Sequence, residues 1–249
     1  MVILRDDERI ARMRRLSQYT SLLGIAALLG GMVIAFTNPE RFFVYELLAL
    51  MAGWLLSQVG VYLGHRYIRS PRPDEALDKE VRRVARNGRM YHYLLPAPHV
   101  LLLPQGIVIF IAKFQGGKIS VTNDKWRQTG LGFLNMRKLF GGESLGNPSK
   151  EAQAMLGSMA SYLQKHAPSV EEVPMAAVVV FTSDGTQEID VNSASVPVVH
   201  YKKLRGFLRQ QWQKGGPAPL STADYEAIRA AFDQKASHLL EIQAEDEAE

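Results

Sequence analysis

Residues 98–119 read PHVLLLPQGIVIFIAKFQGGKI and form the most informative stretch of the chain. Two apolar runs, 100–103 and 107–111, are separated by Pro104-Gln105-Gly106, a composition typical of a tight hairpin turn. A single cation, Lys113, follows the second run, and the glycines at 116–117 precede a further strand. Since both runs are apolar throughout, the stretch predicts a buried β-hairpin with a lysine at one strand end.

Segments with helical and with strand periodicity alternate around this hairpin. We expect helices over about residues 75–86, 149–166 and 201–212, and strands over 118–122, 175–182 and 197–199. Ser221 precedes another segment with an apolar stripe, and its hydroxyl is suited to cap free backbone N–H groups of a helix. The pattern predicts the α/β fold class for this part of the chain.

The order of these segments resembles the nuclease-related domain family, known as NERD, a branch of the PD-(D/E)xK nuclease-like fold. Members carry an Ile-Asp-His-Val-like element on one strand and a Val-Ile-Glu-x-Lys-like element on the next. Here the two elements read Ala97-Pro98-His99-Val100 and Phe110-Ile111-Ala112-Lys113. Further matches are Asp124-Lys125-Trp126, the helix start at 147–153 and the strand at 178–182. Over about residues 78–211, the resemblance implies a restriction-endonuclease-like domain.

The chain departs from the family at the metal-binding positions. The resemblance implies an aspartate at position 98 and a glutamate at position 111, which hold a divalent cation that activates water. Pro98 has no side-chain oxygen and Ile111 is apolar, so we expect no metal site and no cofactor. Lys113 stands at the family's lysine position. The positions marked by the resemblance, expected here as relics of a catalytic site, are Glu80, Pro98, Ile111, Lys113 and Gln153.

Two long stretches near the N-terminus are almost free of charge. Residues 16–39 contain no charged residue, and residues 42–64 contain only Glu46. Each is long enough to cross a hydrocarbon layer of roughly 30 Å as a helix. The alternative is a helical hairpin buried in a soluble core, but soluble helices of this length rarely lack a polar face. We predict two transmembrane spans at about residues 17–37 and 43–64, with the lipid bilayer as a partner.

Flanking charges predict the orientation of the spans. Arginines cluster before the first span and after the second, whereas Arg41 alone lies between them. By the positive-inside rule both termini face the cytoplasm. The expected division of the chain is an N-terminal segment with the hairpin at 1–68, a proline-containing linker at 69–77, the NERD-like domain at 78–215, and a C-terminal helix with an acidic tail at 216–249.

Charge along the chain indicates a polyanionic partner for the domain. Residues 65–165 hold sixteen Lys and Arg against seven Asp and Glu, whereas residues 217–249 hold two against eight. Lysine and arginine neutralise phosphates, and an aromatic among them is able to stack on bases. The candidate nucleic-acid-binding residues are Lys113, Lys118, Lys125, Trp126 and Arg127. The alternatives are that Trp126 belongs to the core and that Lys113 extends to the domain edge. A further alternative is that the basic surplus is attracted to the anionic inner leaflet of the membrane, which we favour for the arginines at 66–72.

Three functions follow as hypotheses. The first is a membrane-anchored, catalytically inactive NERD domain that binds DNA, RNA or a protein partner at the cytoplasmic face. The second is an active metal-dependent nuclease with ligands displaced to Glu80 or Asp124. The third is a membrane scaffold that keeps only the fold. The chain has no cysteine, which excludes thiolate nucleophiles, disulfides and cysteine-based zinc sites.

Overall fold

The computed structural model describes residues 1–37, 39–130, 144–213 and 217–240. They divide into two compact units: residues 7–72 form one, and residues 1–6 combine with 73–130 and 145–240 to form the other. The acidic residues expected at the end of the tail lie outside the described part of the chain. The fold is mixed α/β, with two long apolar helices near the N-terminus.

The first unit is a hairpin of two long helices, α1 (Asp7–Thr37) and α2 (Pro39–Tyr67). Both are long and apolar enough to cross a membrane, judged by length and composition. Their large apolar side chains are mostly exposed, including Phe36 at 83% and Tyr45 at 64%. This exposure is the opposite of what a hairpin buried in a soluble core requires.

Small residues bring α1 and α2 into close contact. The buried Ser17 hydroxyl donates a hydrogen bond to the Gly60 carbonyl at 2.7 Å. A Cβ added to Gly60 would lie 2.9 Å from the backbone nitrogen of Ser21, and one on Gly53 would lie 2.9 Å from the carbonyl oxygen of Gly24. Such spacing leaves no room for a larger residue, so these glycines serve packing within the hairpin.

The second unit is built on a six-stranded sheet in the order β1-β2-β3-β4-β7-β9. The nine strands of the unit are β1 (Val2–Arg5), β2 (Arg89–His92), β3 (His99–Leu103), β4 (Gly106–Lys113), β5 (Gly117–Thr122), β6 (Lys125–Thr129), β7 (Met175–Phe181), β8 (Thr186–Val191) and β9 (Val198–His200). The predicted hairpin is confirmed as β3 and β4, with Leu103 paired to Gly106 across the turn. Gly106 has φ +130°, a conformation that favours glycine.

Helices cover both faces of this sheet. One face, called here the α4 face, packs against α4 (Pro148–His166) and α6 (Thr222–Asp233) through residues such as Ile109 and Phe232. The other, called the α3 face, packs against α3 (Pro73–Val81) and α5 (Tyr201–Gln213) through residues such as Phe110 and Leu204. Side chains alternate between the faces along each strand, as the period of two requires.

A second sheet of three strands, in the order β6-β5-β8, extends from the end of β4. β5 is antiparallel to β6 and parallel to β8. Asn123 and Asp124, both with positive φ, form the two-residue turn between β5 and β6. Asparagine and aspartate tolerate this conformation better than other non-glycine residues.

Two boundaries differ from the sequence-based division. Residues 1–6 were expected with the hairpin, but β1 is an edge strand of the main sheet, where Leu4 is fully buried opposite Tyr91. The linker was expected to reach residue 77, but α3 already begins at Pro73 and ends at Val81. Proline is tolerated in the first turn of a helix because the N–H that it lacks has no helical partner there.

Candidate functional site

Lys113 ends β4 at the edge where the parallel strands β4 and β7 both finish. Its carbonyl oxygen accepts a hydrogen bond from the Thr182 backbone N–H at 2.7 Å. Its side chain lies on the α4 face, only 5% exposed, with Nζ 2.6 Å from Oε1 of Glu151 in α4. The ammonium therefore does not extend to the domain edge, as one alternative expected; it is buried and already has a carboxylate partner.

The positions marked by the family resemblance are only partly brought together. Ile111 is two residues before Lys113 on the same face and is buried in the apolar core. Pro98 precedes β3, and its carbonyl accepts a hydrogen bond from the Tyr93 N–H at 2.7 Å. Gln153 is exposed on α4, and Glu80 is on α3, which covers the opposite face. The carboxylate beside Lys113 is instead Glu151.

Among the described residues, no group of three or more His, Asp or Glu side chains is arranged to hold a metal ion. The two displaced ligands considered from the sequence, Glu80 and Asp124, lie on α3 and in the β5–β6 turn respectively.

Asp124 has a structural role in the turn between β5 and β6. Its Oδ1 accepts hydrogen bonds from the Ser149 hydroxyl at 2.6 Å and from the Ser195 backbone N–H at 2.9 Å. The hydrogen bond from Ser149 is the main cause that lowers the pKa of the Asp124 carboxyl. The Trp126 indole N–H donates to the same Ser149 hydroxyl at 3.0 Å. These bonds tie the small sheet to the start of α4.

A buried polar cluster on the α3 face was missed from the sequence. Asp74 and Asp78 of α3 both form ion pairs with Arg5 of β1, and Asp74 is fully buried. Oδ1 of Asp78 lies 2.9 Å from Nε2 of His92, whose Nδ1 lies 2.8 Å from Nδ1 of His99. One Nδ1 atom must donate and the other must accept, so one proton lies between the two rings.

The two histidines are at most 4% exposed, whereas the Arg5 side chain is 23% exposed. The charged side chains of the cluster are paired with one another, which favours a structural role. The sequence held one signal for it, because Asp74 and Asp78 are four residues apart and therefore share one side of a helix. The acidic residue marked by the family resemblance on this helix, Glu80, lies two residues after Asp78.

The candidate nucleic-acid-binding residues separate into two groups. Lys118, Lys125 and Arg127 are exposed on the outer side of the three-stranded sheet. Lys118 forms an ion pair with Glu188 of β8 at 3.1 Å, whereas Lys125 and Arg127 have no ion-pair partner among the described residues. Trp126 points to the other side of β6, with its ring centroid 6.4 Å from that of Phe181, so it is not an exposed stacking surface.

No protein family, curated protein or solved structure matches this chain.

Proposed function

We propose that the protein is a membrane-anchored, catalytically inactive nuclease-related domain that binds nucleic acid at the cytoplasmic face of the membrane. The proposal rests on the surroundings of the Lys113 side chain. Its side chain lies beside Ile111, in a position where the family resemblance implies a metal carboxylate, and it is neutralised by Glu151. A lysine that is paired with a carboxylate, with an apolar residue in place of a metal ligand, supports an inactive site.

The geometry of the hairpin supports the anchoring. The apolar side chains of α1 and α2 face outward and require an apolar solvent such as lipid. The chain leaves the second unit after residue 6 and returns to it at residue 73. A two-span anchor whose ends both enter one compact unit has both ends on one side of the membrane. The arginines that flank the spans favour the cytoplasmic side.

Lys125 and Arg127 support the binding of nucleic acid. They are exposed two residues apart on β6, an edge strand, so both side chains lie on the same side of the sheet. Because no carboxylate neutralises them among the described residues, both are available to contact phosphates. Contacts of this kind do not depend on base sequence, and they weaken as salt rises.

The proposal is tested with the full chain in nanodiscs of phosphatidylcholine, a neutral lipid that does not compete for cations. Binding of labelled single-stranded and double-stranded DNA and RNA is measured by fluorescence anisotropy across a salt series. The double variant Lys125→Ala/Arg127→Ala is expected to bind more weakly and to lower the salt slope by about 2, since each lost phosphate contact removes about 1. Strand length is checked afterwards with Mg²⁺ present, and the strands are expected to stay intact.

The matched control is Lys165→Ala/Lys235→Ala, which removes the same charge from two exposed lysines on other elements. It should leave the salt slope unchanged. No binding at low salt would reject the nucleic-acid role and favour a protein partner or a scaffold. Magnesium-dependent cutting would reject the inactive domain and require ligands other than residues 98 and 111.

A further inference from the structure

Six exposed cations lie on the two segments that cover the α3 face of the second unit and are called here the basic face. They are Arg82, Arg83 and Arg86, which follow α3, and Lys203, Arg205 and Arg209 of α5. All six are exposed, and none has an ion-pair partner among the described residues. α3 and α5 pack together beneath them through Leu77, Val81, Leu204 and Leu208.

The six cations of this face differ from several exposed cations elsewhere in the unit, which are paired. Lys118 is paired with Glu188, and Arg229 is paired with Glu226. Lys202, at the start of α5, is paired with Asp184 at 2.6 Å and marks the border of the basic face. Exposed cations without ion-pair partners on one side of a compact unit complement an extended anionic surface.

The chain connections favour a membrane as that surface. Only five residues, 68–72, separate the end of α2 from the start of α3, and only Asp6 separates β1 from α1. Three of the residues just after the second span, Arg66, Arg69 and Arg72, are also cationic. A unit connected so closely to two membrane-spanning helices meets lipid headgroups at a high effective concentration, whereas nucleic acid must diffuse to it.

We propose that the basic face docks the second unit onto a surface of anionic phospholipids. The inference rests on the membrane anchoring proposed above but not on nucleic-acid binding. The basic face lies with α3 and α5, whereas Lys113 and its partner Glu151 lie on the α4 face. The face that docks on lipid therefore differs from the sheet surface that carries Lys125 and Arg127.

Two glycines provide matched positions for a reporter. Gly206 is exposed on α5 among the cations of the basic face, and Gly157 is exposed on α4. A Cβ added to either would meet nothing within 4 Å, so cysteine is tolerated at both. Because the native chain has no cysteine, Gly206→Cys and Gly157→Cys each give one labelling site.

The full chain with a fluorophore at one of these sites is reconstituted in nanodiscs that carry a headgroup quencher. The nanodiscs contain either phosphatidylcholine alone or equal parts of phosphatidylcholine and phosphatidylglycerol. We expect phosphatidylglycerol to increase quenching at Gly206→Cys but not at Gly157→Cys. High salt should abolish the increase, because the Debye length falls from roughly 10 Å at 0.1 M to 3 Å at 1 M.

Charge variants complete the test. Arg82→Gln/Arg83→Gln/Arg205→Gln/Arg209→Gln should lose the increase, whereas Lys118→Gln/Lys125→Gln/Arg127→Gln/Lys165→Gln, which removes as many charges elsewhere, should keep it. Equal quenching at both labels, no effect of phosphatidylglycerol, or equal effects of the two charge variants would overturn the proposal. Loss of nucleic-acid binding in the first variant, without any lipid effect, would assign the face to nucleic acid instead. If the protein binds no nucleic acid but phosphatidylglycerol still increases quenching at Gly206→Cys, lipid docking by the basic face stands and only the nucleic-acid role is rejected.

Discussion

The ion pair between Lys113 and Glu151 joins two side chains in unequal environments. The Lys113 side chain is 5% exposed and that of Glu151 is 37% exposed, so only the lysine depends on its partner for solvation. A buried charge without a partner costs much more than a half-exposed one, which water still reaches. The two halves of the pair should therefore respond differently to substitution.

We expect Glu151→Gln to destabilise the second unit by about 2 kcal/mol, below the roughly 3–5 kcal/mol for a fully buried pair, because water reaches Glu151. Lys113→Met should cost less than about 1 kcal/mol, since it leaves only a hydrated carboxylate. Chemical unfolding followed by tryptophan fluorescence measures both. Glu188→Gln, in an exposed pair, is the control and should cost less than about 0.5 kcal/mol. A larger loss for Lys113→Met would contradict this account.

Ser149→Ala should raise the pKa of the Asp124 carboxyl, because the hydrogen bond from Ser149 is the main cause of its lowered pKa. That bond stabilises the fold above the ordinary pKa of aspartate, and its contribution is lost as pH falls through the lowered value. The variant should therefore lose less stability on acidification. NMR titration of Asp124 measures the shift, with Ser158→Ala on the same helix as a control. An unchanged pKa would assign the shift to Ser195.

The sequence predicts the roles of some individual residues but not the partners of others. The chemistry of Pro98 and Ile111 follows from their side chains, and the sequence alone excludes them as ligands. The partner of Lys113 was not predictable, because Glu151 reaches it from a helix that is 38 residues away. Trp126 was given two interpretations, and the structure places it against the core.

Elements with strong apolar patterns were predicted well, and four short strands were not. The β3–β4 hairpin, α4, β7 and α5 were all expected within a few residues of their bounds. The missed strands are β1 and β2, which have only four residues each, and β6 and β8, which are largely polar. Strands this short or this polar do not show a clear period of two in the sequence.

The close contact between α1 and α2 at Gly60 can be tested by substitution. Gly60→Leu should destabilise the hairpin by about 2 kcal/mol or more, because a side chain there would overlap the backbone of Ser21. Gly30→Leu is the matched control, since a Cβ at Gly30 meets nothing within 4 Å. Unfolding in mixed micelles, followed by circular dichroism, compares the two. Equal losses of stability in the two variants would show that the contact between α1 and α2 does not depend on Gly60.

In the whole molecule, the helical hairpin is an insertion within the second unit. β1 precedes the hairpin in the chain, and the rest of the sheet follows it. From the sequence, residues 1–68 are expected to belong together, because the arginines before the first span are typical of the flank of a membrane span. The pairing of Val2–Arg5 with a strand nearly ninety residues later leaves no local signal.

A fragment that starts at Pro73 should therefore be less stable than one in which residues 1–6 are joined to Pro73 by a flexible linker. Without Arg5, the carboxylates of Asp74 and Asp78 lose their cation, a loss of about 3 kcal/mol. Thermal unfolding of the two fragments measures the difference. Adding Arg5→Met to the linked fragment should remove most of the extra stability that residues 1–6 provide. If it does not, the extra stability comes from strand pairing and not from charge.

The position of β1 also sets an order of events during synthesis. The ribosome makes β1 first, but its partner β2 emerges only after both long helices have been translated. For that interval Leu4 and the backbone groups of β1 have no native partner, and an unpaired strand is prone to wrong associations. Closure of the sheet is thus a late step, and β1 must stay accessible on the side where β2 appears.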